Sequence, residues 1–253
     1  MTCVAAQRLP SFALSSSAAR RPGRALLTLV WLSALAACRA PTPTPTPDQL
    51  LERSAQAMQS LTSVHFSIER SGAPAYVDPT GTFAFRRAEG DFVAPDRARA
   101  QVRVIGPGLV AEVNVVALGD DYWESHPLTG EWGNYSGFGY NPAALFDPEA
   151  GLAAFMRRHL TDLRLLGLDE IEDLPGEQFF HLAASAPGEP VLAMTAGLVG
   201  RGRLAFEWWA EPDTARVIRI RVVEPETDPA DPTVWIIDFD LFDQPAAIEA
   251  PAP

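Results

Sequence analysis

The sequence predicts an α+β fold in which a large, strongly curved antiparallel sheet, a half-barrel, carries helices on its concave face. Two patterns predict it. Apolar and polar residues alternate at a period of two in many short runs separated by Gly, Pro and Asp/Asn turns, the mark of strands with one buried face. Helical spacing is clear in only two places, so the helices are too few to form a layer of their own and must cover the sheet. A twisted sheet of about nine to eleven strands curls. Curling around helices that do not fill it leaves a long apolar cavity.

The elements follow in order. Residues 1–37 read as a lipoprotein signal peptide: Arg20, Arg21 and Arg24 precede an apolar run from Ala25 to Leu35, and Leu35-Ala36-Ala37-Cys38 resembles a lipobox. The run is about half of the ~20 residues that a membrane-spanning helix needs. Cleavage before Cys38 leaves that cysteine N-terminal and its thiol open to diacylglycerol transfer. The expected product is lipid-anchored on the extracytoplasmic face of the cell membrane.

Removing residues 1–37 takes four of the 20 basic residues and none of the 32 acidic ones, which leaves 16 against 32 and a formal charge of −16. Such a body does not seek nucleic acid through its charge. Of the two cysteines, Cys3 leaves with the signal and Cys38 takes the lipid. The body therefore rests on its core rather than on disulfides.

Residues 38–47 comprise the lipidated cysteine and a spacer, in which Pro41 to Pro47 alternates Pro and Thr. Seven residues in polyproline II at ~3.1 Å each reach about 20 Å, beyond the ~8 Å Debye length. An acidic body can stand there near an anionic surface without strong repulsion.

A single domain is expected over 48–253. Asp48 can cap a helix from about Gln49 to Ser60, with Leu51, Ala55, Met58 and Leu61 on one face. The period then changes to two. Val64, Phe66 and Ile68 alternate with His65, Ser67 and Glu69, and Phe83 and Phe85 follow a turn. Ala98, Ala100, Val102 and Val104 alternate with Arg97, Arg99, Gln101 and Arg103, and after Gly106-Pro107-Gly108, Ala111, Val113 and Val115 face one way. A glycine- and aromatic-rich loop, Gly133 to Pro142, leads to a helix with Leu152, Phe155, Met156 and Leu160 on one face. Strands return at Leu163/Leu165, Phe180/Leu182, Leu204/Phe206/Trp208, Ile218/Ile220/Val222 and Trp235/Ile237/Phe239/Leu241. The stretch Val191 to Val199 reads as either helix or loop.

The order of several phrases resembles the LppX/LprAFG lipoproteins of the mycobacterial envelope: SLTSVHFSI (60–68), EGDFVAPDRAR (89–99), NPAALFDPEAGLAAFM (141–156) and PTVWIIDFD (232–240). The weight lies in their order, since no one phrase is diagnostic. The resemblance implies a half-barrel of the LolA/LprG type that binds acylated lipid or glycolipid and moves it through the envelope, with a membrane transporter as a candidate partner. The chain departs from the pattern in the interval from Glu177 to Arg203, where APGEPVLAMTAGLVGRG (186–202) reads like a longer insertion, and at the acidic loop EPETDPADP (224–232).

The expected cavity lining is Val102, Val104, Val113 and Val115 from the sheet and Leu152, Phe155 and Met156 from the helix. Tyr135, Phe138 and Tyr140 are the candidate lip of its mouth. An enzyme reading finds no support. His65, His126, His159 and His181 lack metal-ligand spacing and are expected at the surface or in turns. G-x-S-x-G, the P-loop and HExxH are absent from the sequence. Gly197, Gly200 and Gly202 read as a turn rather than a phosphate cradle. No catalytic residues, metal or cofactor are expected. The alternative to a carrier is an envelope sensor or scaffold that binds a protein partner, as RseB-type regulators of related fold do.

Overall fold

The computed structural model describes residues 44–137 and 140–252. Helix α1 (Pro47–Gln59) opens on a capping box: the Thr46 hydroxyl accepts the Gln49 N–H at 3.3 Å, and the Gln49 side chain accepts the Thr46 N–H at 2.9 Å. Pro47 suits the first helical position, where an N–H has no partner anyway. The cap is therefore Thr46 rather than Asp48, and the end of the Thr/Pro run is built into the helix. Leu50, Ser54, Ala55 and Met58 are buried while Leu51 is only half-buried, so the inward face is rotated toward Leu50.

Among the described residues, eleven strands form one antiparallel sheet. They are β1 (Ser63–Ser71), β2 (Ala84–Val93), β3 (Arg97–Gly106), β4 (Leu109–Leu118), β5 (Asp121–Ser125), β6 (Trp132–Asn134), β7 (Thr161–Ile171), β8 (Leu174–Pro187), β9 (Arg203–Ala210), β10 (Val217–Glu224) and β11 (Thr233–Asp240). The order is β6-β5-β4-β3-β2-β1-β11-β10-β9-β8-β7. The chain thus meanders outward from the centre to β6, restarts at the opposite edge with β7, and meanders back until β11 pairs with β1, Phe66 opposite Phe239.

This topology dictates where the helices go. Ten strand spacings of about 4.8 Å would separate β6 from β7 in a flat sheet. The connection between them must therefore cross a face of the sheet, and it carries the 3₁₀ turn Pro142–Phe146 and helix α2 (Leu152–His159). Phe146 pins the crossing to the sheet centre. Its ring stacks on Phe92 at 4.3 Å and approaches Phe66 and Phe239 at 6.1 and 6.3 Å. Phe155 of α2 packs on Phe206 of β9 at 5.3 Å. Arg157 turns the other way and grips Glu52 of α1 through Nε and Nη2 at 3.0–3.1 Å.

Three local expectations are corrected. A bulge lets Val217 pair with Ala210 and Arg219 with Trp209, which leaves Ile218 only half-buried while Val217, Ile220 and Val222 are buried. Leu241 lies beyond the end of β11, with φ +47° and 53% exposure, and does not continue the Trp235/Phe239 face. Gly133 belongs to β6 rather than to a loop. The ambiguous stretch resolves into α3 (Glu189–Met194) followed by turns.

Candidate functional site

A cavity of about 510 Å³ lies between the concave face of the sheet and the 3₁₀ turn, α2 and α3. Alternation in β3 and β4 turns Val102, Val104, Val113 and Val115 into it, with Val102 paired to Val113 across the two strands. Leu152 and Phe155 of α2 face them. Met156 does not: it is buried outside the cavity wall. At about 100° per residue it lies round the helix from Phe155, toward the side on which Arg157 meets α1.

Tyr140 is in the wall, and its hydroxyl donates to the Met194 carbonyl at 2.8 Å, which ties the crossing connection to α3. Burial pushes its phenol pKa up. Tyr135 is not in the wall; its ring is half exposed beside Gly133. Phe138 and Cys38 lie outside the described residues. Tyr76 and Val77, in the loop between β1 and β2, line the cavity at 44% and 47% exposure.

One carboxylate gathers the turn from Asp78 to Phe83 in that loop. Asp78 accepts the backbone N–H groups of Thr80, Thr82 and Phe83 at 2.6–3.1 Å, and the Thr80 hydroxyl also donates to it. Four donors around one charge hold its pKa down to about 2, the Thr80 hydroxyl and the Phe83 amide most of all.

The rest of the wall includes residues that the sequence shows only as core strands, among them Phe206, Ile220, Val222 and Trp235, with Val191, Met194 and Leu198 from α3 and the turn after it. The segment 186–202 is therefore a cavity wall. Its glycines cradle no free anion, because the N–H groups of Gly200 and Arg201 donate to Glu224 at 2.9 and 2.8 Å. Glu224, the first residue of the acidic loop, is fully buried and also accepts the Trp235 indole N–H.

Only one charged side chain, Glu124 of β5, is found among the described lining residues, where the Tyr122 hydroxyl donates to it at 3.2 Å. Burial first, and the Glu124 charge second, raise the Tyr122 phenol pKa. Three histidines are not turn residues: His159 ends α2, where its ring stacks on Phe155 at 5.7 Å, and two lie in strands. His65 in β1 meets Asp91 at 2.8 Å, and His181 in β8 stacks on Trp209 at 4.2 Å with Asp169 at 3.2 Å. His65 alternates with the buried Val64 and Phe66, and His181 with the half-buried Phe180 and the buried Leu182, so both stand on the convex face. Among the described residues no group of three or more His, Cys, Asp or Glu is placed to hold a metal ion. None of the described helices is long and apolar enough to cross a membrane.

The LppX_LprAFG lipoprotein family model matches residues 46–248, from the Thr46 cap to just past the last strand. The chain belongs to the LppX_LprAFG lipoprotein family. Solved relatives share the fold. LprF from Mycobacterium bovis is 18% identical, with TM-score 0.60 over 84% of this chain and 100% of that one. The lipoprotein LppX from Mycobacterium tuberculosis is 18% identical, with TM-score 0.55 over 80% of this chain and 99% of that one. Comparison with curated proteins gives no match.

Proposed function

We propose that this LppX_LprAFG lipoprotein is anchored to the membrane through Cys38 and takes the acyl chains of a lipid or glycolipid into the cavity, to move that lipid within the envelope. The observation that carries the reading is the cavity itself. Its size falls within the ~300–1,000 Å³ of small-molecule sites, and valines, phenylalanines and a tryptophan dominate its walls. The chemistry is binding, not bond-making. At about 0.8 kcal/mol per buried methylene, one sixteen-carbon chain supplies about 12 kcal/mol before ordering costs. No charged contact is needed for that part of the affinity.

Native mass spectrometry of the exported protein tests the reading. The expected result is a non-covalent lipid mass that organic extraction removes. A bare protein mass, from cells in which the protein is in its own envelope, overturns it and favours the partner-binding alternative.

A further inference from the structure

Exposed apolar side chains are not scattered over this domain. Ten large hydrophobic side chains are exposed among the described residues, and six of them, Tyr76, Val77, Ile105, Val110, Leu128 and Trp132, belong to three connections at one end of strands β1–β6. The register brings these connections together. Ala84 pairs with Ile105, which sets the β1–β2 loop beside the β3–β4 turn, and Ile105 pairs with Val110 across that turn. The Phe83 ring lies against Gly106, so closely that a Cβ there would stand 2.7 Å from it. Ser125 Oγ accepts the Asn114 N–H at 2.8 Å, which lays the β5–β6 turn alongside the Leu109 end of β4. Two further properties narrow what this end can meet. The regions 72–83, 105–110 and 126–132 contain no arginine, and their only carboxylates are Asp78, enclosed by its own donors, and Glu131. Their backbone donors are also paired locally. The Leu128 and Thr129 N–H groups donate to His126 Nδ1 at 3.3 Å, Gly130 N–H to the His126 carbonyl at 2.8 Å and Gly81 N–H to the Asp78 carbonyl at 3.2 Å, while Pro107 has no N–H to satisfy.

From this clustering we propose that the tips of the β1–β2, β3–β4 and β5–β6 connections are a docking face for the bilayer that holds the anchor, and that they enter its headgroup–acyl boundary. The inference rests on the membrane anchoring proposed above and not on which lipid the cavity takes. Leaving water is cheap for these tips, because a backbone donor that is already paired loses no hydrogen bond in a drier phase. Val110 and Leu128, 63% and 74% exposed, gain the most from it. Trp132 and Tyr76 are of the aromatic type that settles at a membrane interface. Three separate tips present points rather than a groove, which suits a fluid surface. The absence of arginine means that anionic headgroups add no attraction. At the same end of the sheet, beyond Glu224 and Thr233, the acidic loop carries Glu226, Asp228 and Asp231 and no large apolar residue, so it stays in water. A spacer of about 20 Å lets the start of α1 stand off the bilayer while the tips touch it. The anchor also keeps the tips at high local concentration over the surface, so a contact too weak to hold a free protein is sufficient.

The test uses the mature lipidated protein in phosphatidylcholine vesicles. With Cys3 removed and the Cys38 thiol in a thioether, an introduced cysteine is its only free thiol. Leu128→Cys, Val110→Cys and, as control, Leu166→Cys in the opposite edge strand β7, which is also exposed, are labelled with an environment-sensitive fluorophore. Spin-labelled phosphatidylcholine in the same vesicles then quenches whatever lies at the headgroup–acyl boundary. Labels at 128 and 110 are expected to be quenched, and the label at 166 is not. Ile105→Asp combined with Val110→Asp, read by the label at 128, should lower the ratio of docked to free tips about tenfold, the effect of returning one buried aliphatic side chain to water. Replacing half of the phosphatidylcholine by phosphatidylglycerol should not increase the quenching, and added salt should not reduce it. Equal quenching at 128 and 166, or quenching at 128 unmoved by the paired Asp substitutions, overturns the docking face. Quenching that appears only with phosphatidylglycerol and vanishes in salt means electrostatic adsorption and overturns it as well. Should the paired Asp variant melt out, the contrast between 128 and 166 decides. Intact mass taken before labelling shows whether diacylglycerol is present. If it is absent, the anchor reading fails by itself, and the same labels on Cys38→Ala protein in excess vesicles still decide the tips.

Discussion

The indole N–H of Trp235 donates to the carboxylate of Glu224 at 2.7 Å, and both side chains are fully buried. The other carboxylate oxygen takes the N–H groups of Gly200 and Arg201. One side chain at the end of β10 thus fixes a wall residue of the cavity and the segment that follows α3.

All three groups bound by Glu224 are donors, so a carboxylate satisfies them and an amide does not. Glu224→Gln sets an NH₂ group against at least one N–H. The expected cost is about 3 kcal/mol, a fall in Tm of about 6–12 °C for a domain of this size. Glu226→Gln, changing an exposed acceptor of the Arg203 N–H, should alter stability by no more than about 0.5 kcal/mol. Thermal melts of the two variants check the contrast.

The loop between β1 and β2 should respond to acid. Asp78 has its pKa depressed to about 2, below the ~3.9 of an unfolded aspartate. Its hydrogen bonds therefore stabilise the fold fully above about pH 4, and that contribution is lost as the pH falls toward 2. The expected outcome is loss of amide protection at Thr82 and Phe83 across that window, with no change above pH 5. Asp78→Asn should lower the protection at all pH values and abolish the acid step. Hydrogen exchange corrected for intrinsic rates reads both.

Much of this architecture is legible in the chain because alternation is a local signal. Ala98 to Val104 and Leu204 to Trp208 announce their buried faces directly, and the number of such runs implies a sheet large enough to curl. What alternation does not distinguish is a residue facing a cavity from one facing a core. Phe206 and Trp235 carry the same inward signal as Ala98, yet only the first two line the cavity. The outcome depends on how α2 and α3 sit, which is a matter of tertiary packing. Met156 failed for a related reason: the period of 3.6 gives the apolar stripe of α2, but not which part of the stripe faces the sheet and which faces α1. Ile218 failed because a bulge shifts the period by one residue and leaves no mark on composition. Glu224 was unreadable as a buried clamp, since by sequence it is one acidic residue in an acidic loop.

Cys38, the proposed anchor, lies outside the described residues, and the proposal is tested by mutation. A diacylglycerol on Cys38 supplies two chains, which suffice for stable anchoring where one gives only reversible binding. Cys38→Ala should move the protein from the membrane fraction to the soluble extracytoplasmic fraction. Persistence in the membrane after a high-salt wash would refute lipidation as the anchor. A Gly/Ser run in place of Pro41 to Pro47 should preserve membrane attachment.

The sharpest test of the cavity places bulk in it. Val102 is half-buried and Val115 is buried, and both point into the same space from neighbouring strands. If that space takes acyl chains, it can also accept an indole. Val102→Trp, the roomier of the two sites, is expected to leave Tm within about 2 °C while sharply reducing bound lipid. Val115→Trp should act the same way with a somewhat larger loss of stability. A filled core behaves differently: an added ring overpacks its neighbours at about 1–3 kcal/mol or more, and Tm falls by roughly 2–12 °C with no lipid to lose. Melting curves and lipid content measured on both variants therefore separate a binding space from a core. Strong destabilisation of both, with a parent protein that carries no lipid, would remove the physical basis for a carrier and leave a half-barrel whose concave face is packed by its own helices.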